Sequence, residues 1–245
     1  MDNEILKSLR ERKSVRAYAD IEITSEIKAD IIDAALQAPT AGNMTLYSII
    51  DVTDPAVKER LAVLCDNQPF IAKAPMILVF LADQQKWFDS FKIMYGDCVR
   101  KPRTGDYALA AADALIAAQN AVVAAESLGL GSCYIGDVIE NYEGVKELLA
   151  LPQFVVPAAL VCFGYPTEQQ KSRHKPPRFK AEYVVSENSY KQLDKTALTE
   201  MFNTKYDSTD GFDKDVAGLY ERKWSQAFML EMTRSIEKWL EAFKL

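Results

Sequence analysis

Apolar residues follow one another along this chain in two patterns, one continuous and one at helical spacing. Continuous apolar runs of strand length occupy residues 74–83 and 157–166, and a run rich in β-branched residues occupies 46–54. Each run predicts a strand, and a further short strand is predicted among the glycines of 127–137. Helices and strands are intermixed without regular βαβ units, so the pattern favours an α+β domain whose C-terminal part is helical and rich in loops.

Apolar residues at helical spacing predict six helices, several of which have a Ser, Thr or Pro at a boundary. These helices are predicted at residues 2–12, 24–38, from 54 onward, 107–125, 141–150 and 224–243. Three other segments lack both patterns and are predicted to be irregular, namely 84–105, 167–180 and 206–215. The last helix carries an apolar stripe, which indicates a core contact or, near a terminus, contact with a partner subunit.

The composition is that of a soluble globular protein, with 49% hydrophobic and 26% charged residues among 245. A net charge of −6 argues against a general nucleic-acid binder, which needs a basic face. Four scattered cysteines and one histidine lack metal-ligand spacing, so no metal site is predicted. The Ala-rich helix has the length of a membrane span, but Asp113 in its middle would be costly in lipid, so we expect a core helix and no membrane association. No signal-peptide pattern opens the chain, and we expect a cytoplasmic protein.

Cations gather in two places in this otherwise acidic chain. Arg12, Lys13 and Arg16 surround the hydroxyl-bearing Ser14 just after the first helix, and five further lysines and arginines lie within 171–180. Arginine binds phosphate oxygens through paired N–H groups and lysine adds a point charge, so the two clusters would form a phosphate pocket if they converge. Two unrelated solvated patches would give the same sequence, and charge alone does not choose between them.

Two glycine-containing turns and one glutamine are further candidates for ligand contact. The turn at 38–47 and the segment 129–137 leave backbone groups open to a flat ligand, although ordinary connections have the same composition. Gln68 is either a ligand hydrogen-bonder or a satisfied turn residue. There is no nucleophile elbow and no cysteine beside a base, so a cofactor that brings its own chemistry suits this sequence better than a hydrolase mechanism.

Five segments of the chain together carry a resemblance to a known family. They are ERKSVRAY, APTAGNMTLYSIIDVTD, AAQNAVVAAESLGLGSCYIGD, FGYPTEQQKSRHKPPR and SENSYKQLD. Their order and spacing resemble those of FMN-dependent nitroreductases, and the resemblance runs from about residue 3 to about residue 195. The nearest group within that family comprises the oxygen-insensitive NADPH nitroreductases and the NADPH-flavin oxidoreductases.

The resemblance implies a fold and an assembly. The fold would be α+β and FMN-dependent nitroreductase-like, with a central, mostly antiparallel sheet flanked by helices and a long buried Ala-rich helix. Residues 1–245 would form a single nitroreductase-like domain, with a helical, loop-rich excursion from about residue 196. The assembly would be a homodimer with one FMN at each of two interface sites.

The resemblance also implies which residues hold FMN. Those at the phosphate, the ribityl chain and one flavin edge would be Arg12, Lys13, Ser14, Arg16, Lys175 and Arg178. Gln68 would bond the isoalloxazine, and Tyr134, Ile135 and Gly136 would cover a ring face. Thr40 and Gly42 would line the site from the neighbouring turn. The chemistry would be that of flavin N5, with no catalytic side chain.

Several positions depart from the family pattern. Arg12 stands where the family often has histidine, and an extra proline precedes Arg178. Asp137 replaces a small residue and places a carboxylate near the flavin edge. The candidate contacts for NADPH lie in the part that does not align and are Arg222, Lys223 and Arg234.

By this resemblance the chain would be an enzyme, an NAD(P)H-dependent nitroreductase or flavin oxidoreductase with a ping-pong cycle. NADPH, with NADH also possible, would give a hydride to FMN, and a nitroaromatic, a quinone or a flavin would then take two electrons. The loop at 203–216 is predicted to be mobile and to cover the site. Two alternatives stay open: a flavin reductase that supplies reduced flavin to a partner enzyme, and a non-catalytic flavin-binding protein.

Overall fold

One four-stranded antiparallel sheet organises the computed structural model, which describes residues 3–244. The strands are β1 (Tyr47–Asp51), β2 (Met76–Asp83), β3 (Gly131–Ile135) and β4 (Val155–Gly164). Their order across the sheet is β1-β2-β4-β3, and every neighbouring pair is antiparallel. All four predicted strands are therefore confirmed.

Eleven α-helices surround this sheet or follow it within the described residues. The first six are α1 (Glu4–Glu11), α2 (Ser25–Leu36), α3 (Pro55–Leu64), α4 (Pro69–Ala72), α5 (Gln85–Tyr95) and α6 (Thr104–Ser127). The others are α7 (Tyr142–Leu148), α8 (Glu168–Ser172), α9 (Lys195–Tyr206), α10 (Gly211–Leu219) and α11 (Ala227–Leu240). Side chains cap two of these helices, since Thr24 accepts from the N–H of Ile27 and Asp54 accepts from that of Ala56.

Strand β2 separates two hydrophobic cores, and all eight of its residues are buried. Successive side chains of a strand point to opposite faces, so Ile77 and Val79 join one core while Leu78 and Phe80 join the other. A strand covered on both faces needs apolar residues at every position. This explains why the sequence of β2 is continuously apolar and does not alternate.

The Ala-rich helix α6 packs across the sheet beside α2. By length and composition alone it is long and apolar enough to cross a membrane. However, eight of its residues are buried in the protein, and its alanines share a core with Ile31 of α2 and Phe163 of β4. Small side chains permit this close approach of helix and sheet, so α6 is the core helix that the sequence predicted.

Helices occur in all three segments that the sequence predicted to be irregular, so those predictions were wrong. Helix α5 occupies about half of 84–105. Its apolar Ile93 and Met94 are exposed, so its apolar residues do not follow the helical spacing that marks a face buried in the core. Helix α8 begins within 167–180. Helices α9 and α10 leave only 207–210 between them, so the long covering loop predicted at 203–216 is largely helical.

The chain divides into two compact units. The first contains the residues up to Arg173 and those from Glu231 onward, and the second contains His174–Leu230. Within the second unit, the ring of Phe202 meets Phe179 and Phe212 edge-on, with ring centroids 5.2 and 5.7 Å apart. Within the first, the C-terminal apolar stripe ends in the core, where Trp239 and Phe243 are buried.

Candidate functional site

The segment after α1 lies along the edge strand β3. The backbone N–H of Val15 donates to the carbonyl of Ser132 at 2.9 Å, and Ser14 pairs with Ser132 as a parallel bridge. Gly131 makes this approach possible, because a Cβ at that position would lie 2.8 Å from the Cβ of Val15. The basic residues around Ser14 are therefore fixed on a sheet edge and are not a loose helix end.

Arg12 reaches over this edge toward a buried hydroxyl. Its guanidinium donates to Ser132 Oγ at 3.3 Å, and the Ser132 hydroxyl lies 3.3 Å from Glu126 Oε1. The Nε of Arg12 is buried and has no hydrogen-bond partner within the described residues. A buried donor without an acceptor is costly, so this nitrogen is suited to an acceptor brought by a ligand.

Two basic residues cross-link the N-terminal segment to the segment after β4. Lys13 Nζ donates to the carbonyl of Lys171 at 2.6 Å and to that of Arg173, while Arg173 donates to the carbonyl of Ser14. The backbone N–H of Arg16 donates to Gln170 Oε1 at 3.3 Å. The first basic cluster and the beginning of the second thus converge, as the phosphate-pocket alternative required.

The cations in this group form no ion pairs with carboxylates of the described residues. Across residues 3–244, none of the ion pairs involves Arg12, Lys13, Arg16 or Arg173. Like charges held close together repel unless an anion joins them. Guanidinium groups match a phosphate through paired N–H bonds, so this group fits the phosphate of FMN.

The charge of these cations affects the pKa of Cys133 on the neighbouring strand β3. Burial raises the pKa of the Cys133 thiol, and the positive charge of Arg16 together with a hydrogen bond from Ser14 opposes that rise. The guanidinium carbon of Arg16 lies 5.9 Å from the centroid of the Phe70 ring. This contact connects the basic cluster to the first turn of α4, where Gln68 is the N-cap.

Gln68 is held against the turn that follows β3. Its Nε2 donates to the carbonyl of Cys65 at 2.8 Å and to Asp137 Oδ2 at 2.6 Å. Burial raises the pKa of the Cys65 thiol, and the charge of Asp137 adds to the effect. The structure therefore joins Gln68 to the 3₁₀ turn Gly136–Ile139.

The end of β3 carries the aromatic ring of Tyr134 and is followed by Gly136, where the backbone is open. The hydroxyl of Tyr134 lies 3.3 Å from Gln119 Oε1, and burial raises the pKa of Tyr134 to about 12. Ile135 is buried, whereas a Cβ on Gly136 would meet open space. A flat ligand has room to lie against the main chain at Gly136, and the contact with a ring face stays a prediction.

Thr40 and Gly42 belong to a turn that is anchored to helix α6. The Thr40 hydroxyl donates to the buried Asp113, and Thr40 Oγ1 accepts from the N–H of Thr45 at 2.8 Å. Gly42 has φ +59°, which favours glycine. The turn borders a cavity of about 360 Å³, whose lining includes Trp87. Thr40 and Gly42 therefore lie in a turn bonded to α6, whereas Tyr134 lies on β3 and Gln68 contacts the turn that follows β3.

The remaining predicted contacts lie in different places. Lys175, Arg178, Arg222 and Lys223 belong to the second unit, where Arg178 donates to the carbonyl of Pro176 at 3.1 Å. Arg234 belongs to the first unit and donates to both oxygens of Glu143, at 2.9 and 2.8 Å. Because its charge is already paired, Arg234 is a poor candidate for a nucleotide contact.

Sequence reasoning missed the residues that support the site. Ser132 and Gln170 contact the N-terminal segment, yet each is more than 100 positions away from it in the chain. Arg173, which also contacts this segment, belongs to the second basic cluster that the sequence identified. Ser132 lies in the resembling segment AAQNAVVAAESLGLGSCYIGD, and that was its only signal in the sequence. Asp113 had a signal of its own, since a lone acid in an Ala-rich helix must be paired when it is buried.

Comparisons with known proteins identify the family of this chain. The sequence model of the nitroreductase family matches residues 9–165. An FMN reductase (NAD(P)H) of Bacillus subtilis is 34% identical over 92% of this chain and 89% of its own length. An oxygen-insensitive NADPH nitroreductase of Salmonella typhimurium is 36% identical over 76% of this chain and 74% of its own. The structure of an NADPH:FMN oxidoreductase from Vibrio harveyi, complexed with NAD+, has a TM-score of 0.81 and 28% identity, covering 97% of this chain and 98% of that one. These matches confirm the predicted family and α+β fold.

Proposed function

The chain belongs to the nitroreductase family, and we propose that it is an FMN-dependent NAD(P)H oxidoreductase that reduces nitroaromatics, quinones or flavins by two-electron transfer. One observation carries the proposal: basic side chains without carboxylate partners converge beside Ser14 on the edge of β3. Bound FMN would supply the redox chemistry, with the nicotinamide and the acceptor using the same place in turn.

The phosphate end of FMN would lie on the basic cluster. Arg12 and Arg16 would bind phosphate oxygens, and the buried Nε of Arg12 would gain an acceptor. Lys13 would act mainly by holding the segment, because its ammonium already donates to two carbonyls. The role of Lys175 and Arg178 at the phosphate stays a prediction of the family resemblance.

The ring of FMN would lie between the N-cap of α4 and the end of β3. Gln68 would hydrogen-bond the isoalloxazine, while Tyr134, Ile135 and Gly136 would cover one face. The positive field of the basic cluster would stabilise negative charge on the reduced ring, because pre-placed charges need no reorganisation when charge develops. Thr40 and Gly42 line a turn on another part of the chain, and we propose that they complete the site of a partner subunit.

The assembly would be a homodimer in the cytoplasm, with residues 1–245 acting as one domain. Exposed apolar side chains support the dimer: Ile5 on α1 and Ile93 and Met94 on α5 are 61%, 88% and 74% exposed. Large apolar side chains this exposed are common at protein interfaces. The relative from Bacillus subtilis supports the single domain, because it matches nearly the whole chain.

Reduction of free flavin is the second candidate function. The names of the Bacillus subtilis and Vibrio harveyi relatives refer to FMN reduction. In that case the enzyme would be a flavin reductase that supplies reduced flavin to a partner enzyme. The residues of the site would be the same, so only the acceptor kinetics distinguish the two functions.

The test is an absorbance spectrum of the purified protein loaded with FMN, followed under anaerobic conditions by NADPH and, separately, NADH. We expect flavin bands that bleach with the nucleotide and return when a quinone or a nitroarene is added. A protein that binds no FMN would refute the proposal. A yellow protein that neither nucleotide bleaches would indicate a flavin-binding protein without this activity.

A further inference from the structure

The side-chain amide of Gln68 uses both of its N–H groups inside the chain. One faces the carbonyl of Cys65 at 2.8 Å and the other faces Asp137 Oδ2 at 2.6 Å. A backbone carbonyl and a carboxylate only accept hydrogen bonds, so the NH₂ group must point toward both of them. The chemistry of these two partners fixes the orientation of the amide.

The backbone around Gln68 supports this orientation. Asp66 and Asn67 adopt left-handed conformations with φ of 61° and 50°, which short polar residues tolerate best. The N–H of Gln68 then donates to the carbonyl of Ala62 at 2.8 Å. The turn between α3 and α4 is therefore tied down, and it directs the glutamine to the 3₁₀ turn that carries Asp137.

The remaining polar atom of the Gln68 side chain is its carbonyl oxygen, Oε1. No donor among residues 3–244 bonds to Oε1. We propose that Asp137 is a positioning residue, which makes Gln68 an acceptor-only ligand that binds an N–H of the flavin ring. This inference rests on the function proposed above. The oxidised isoalloxazine has a single N–H, at N3, and its other polar ring atoms are acceptors, so the partner of Oε1 is N3–H.

A small residue at position 137 would have a different consequence. Cys65 would still hold one N–H of Gln68, but the second N–H would be free to donate to an acceptor of the ring. The carboxylate of Asp137 thus decides whether Gln68 can donate to the flavin. In the family pattern a small residue stands at this position, so the acceptor-only glutamine distinguishes this chain.

The test compares FMN with 3-methyl-FMN, which lacks the N3–H. Dissociation constants of the full-length protein, stripped of flavin, are measured by flavin fluorescence. We expect the native protein to bind 3-methyl-FMN about tenfold more weakly than FMN, the loss that an unpaired buried acceptor causes. Asp137→Asn keeps an acceptor for the second N–H and should retain this ratio.

Asp137→Ala frees the second N–H, and we expect the ratio to fall to about twofold because Gln68 can then donate to the ring. The steric cost of the methyl group is common to all variants and cancels in this comparison. Asp97→Ala is the matched control, since its side chain is 99% exposed and the charge change is the same. An unchanged ratio in Asp137→Ala, or equal binding of both flavins by the native protein, would overturn the inference.

A second measurement does not depend on flavin. In the nitrogen–proton NMR spectrum of the free native protein, both Nε2 protons of Gln68 should exchange slowly with solvent. Exchange of both at the rate of a free amide would overturn the inference even if Asp137→Ala fails to fold. Failure of the native protein to bind FMN refutes the proposed function, whereas normal FMN binding with a flat ratio refutes this inference alone.

Discussion

The carboxylate of Asp113, in the middle of α6, accepts hydrogen bonds from the backbone N–H of Ala41 at 3.0 and 3.1 Å. It also accepts from the hydroxyl of Thr40 and, at 3.2 Å, from the N–H of Leu46. Asp113 is 3% exposed. One buried acid therefore satisfies several donors of a turn that contains residues in left-handed conformations, and so fixes the shape of that turn.

Replacing Asp113 with alanine should destabilise the protein strongly. The change leaves two backbone N–H groups and one hydroxyl without their acceptor, so we expect the free energy of unfolding to fall by about 3 kcal/mol. Asp113→Asn should cost less, since an amide oxygen still accepts. Urea unfolding of the flavin-free protein measures both. The exposed Asp33→Ala on α2 is the control and should change stability by less than about 0.5 kcal/mol.

The contacts of Asp113 show which part of the structure the sequence alone does not predict. Its presence in an apolar helix excluded a membrane span, but its partners lie 67 to 73 positions earlier and no local pattern identifies them. The same holds for Gln68 and Asp137, which are 69 positions apart. Strands such as β2 were predictable because burial on both faces leaves a continuous apolar run. Helix α5 was not, because part of its apolar surface faces outward.

Gly131 should tolerate no side chain. A Cβ there would lie 2.8 Å from the Cβ of Val15, so Gly131→Ala must push the N-terminal segment off β3. We expect a loss of about 1–3 kcal/mol in stability, as for other overpacked sites, together with weaker FMN binding. Thermal unfolding and flavin fluorescence measure the two effects.

Two further variants check this steric explanation. Val15→Gly, combined with Gly131→Ala, removes the clashing side chain and should recover part of the FMN affinity. Gly105→Ala has open space around the new Cβ and should be neutral or stabilise by up to about 1 kcal/mol. FMN binding that stays normal in Gly131→Ala would show that the position of this segment does not matter for the cofactor.

Arg16 should contribute to FMN binding through its charge. Arg16→Ala removes a cation without a carboxylate partner, and a charge-assisted hydrogen bond to phosphate corresponds to a loss of roughly 10- to 100-fold in affinity. Arg16→Lys should lose less, and the effect should shrink at high salt because exposed charges are screened. Titration of the flavin-free protein with FMN measures it, with Arg60→Ala on α3 as control. Equal loss in the control would indicate a general charge effect and no phosphate contact.

The ion pairs of Arg234 should make stability depend on acidic pH. Its guanidinium bonds Glu143 on α7 and Glu231 on its own helix, and these contacts lower the pKa of each carboxyl from the ordinary 4.5 to about 2. A lowered pKa means that the folded state favours the ionised form. The contribution to stability is therefore complete above pH 4.5 and is lost as the pH falls toward 2.

Arg234→Ala should accordingly be less stable than the native protein at pH 7, and the difference should vanish between pH 4.5 and 2. All three side chains are partly exposed, at 43%, 62% and 31% for Arg234, Glu143 and Glu231, so the effect should be modest and reduced by salt. Urea unfolding across this pH range measures it. Lys92→Ala, which breaks the exposed pair with Asp97 at 3.3 Å, is the control. A difference for Arg234→Ala that persists unchanged at pH 2 would show that the arginine acts through packing of its stem and not through its two carboxylates.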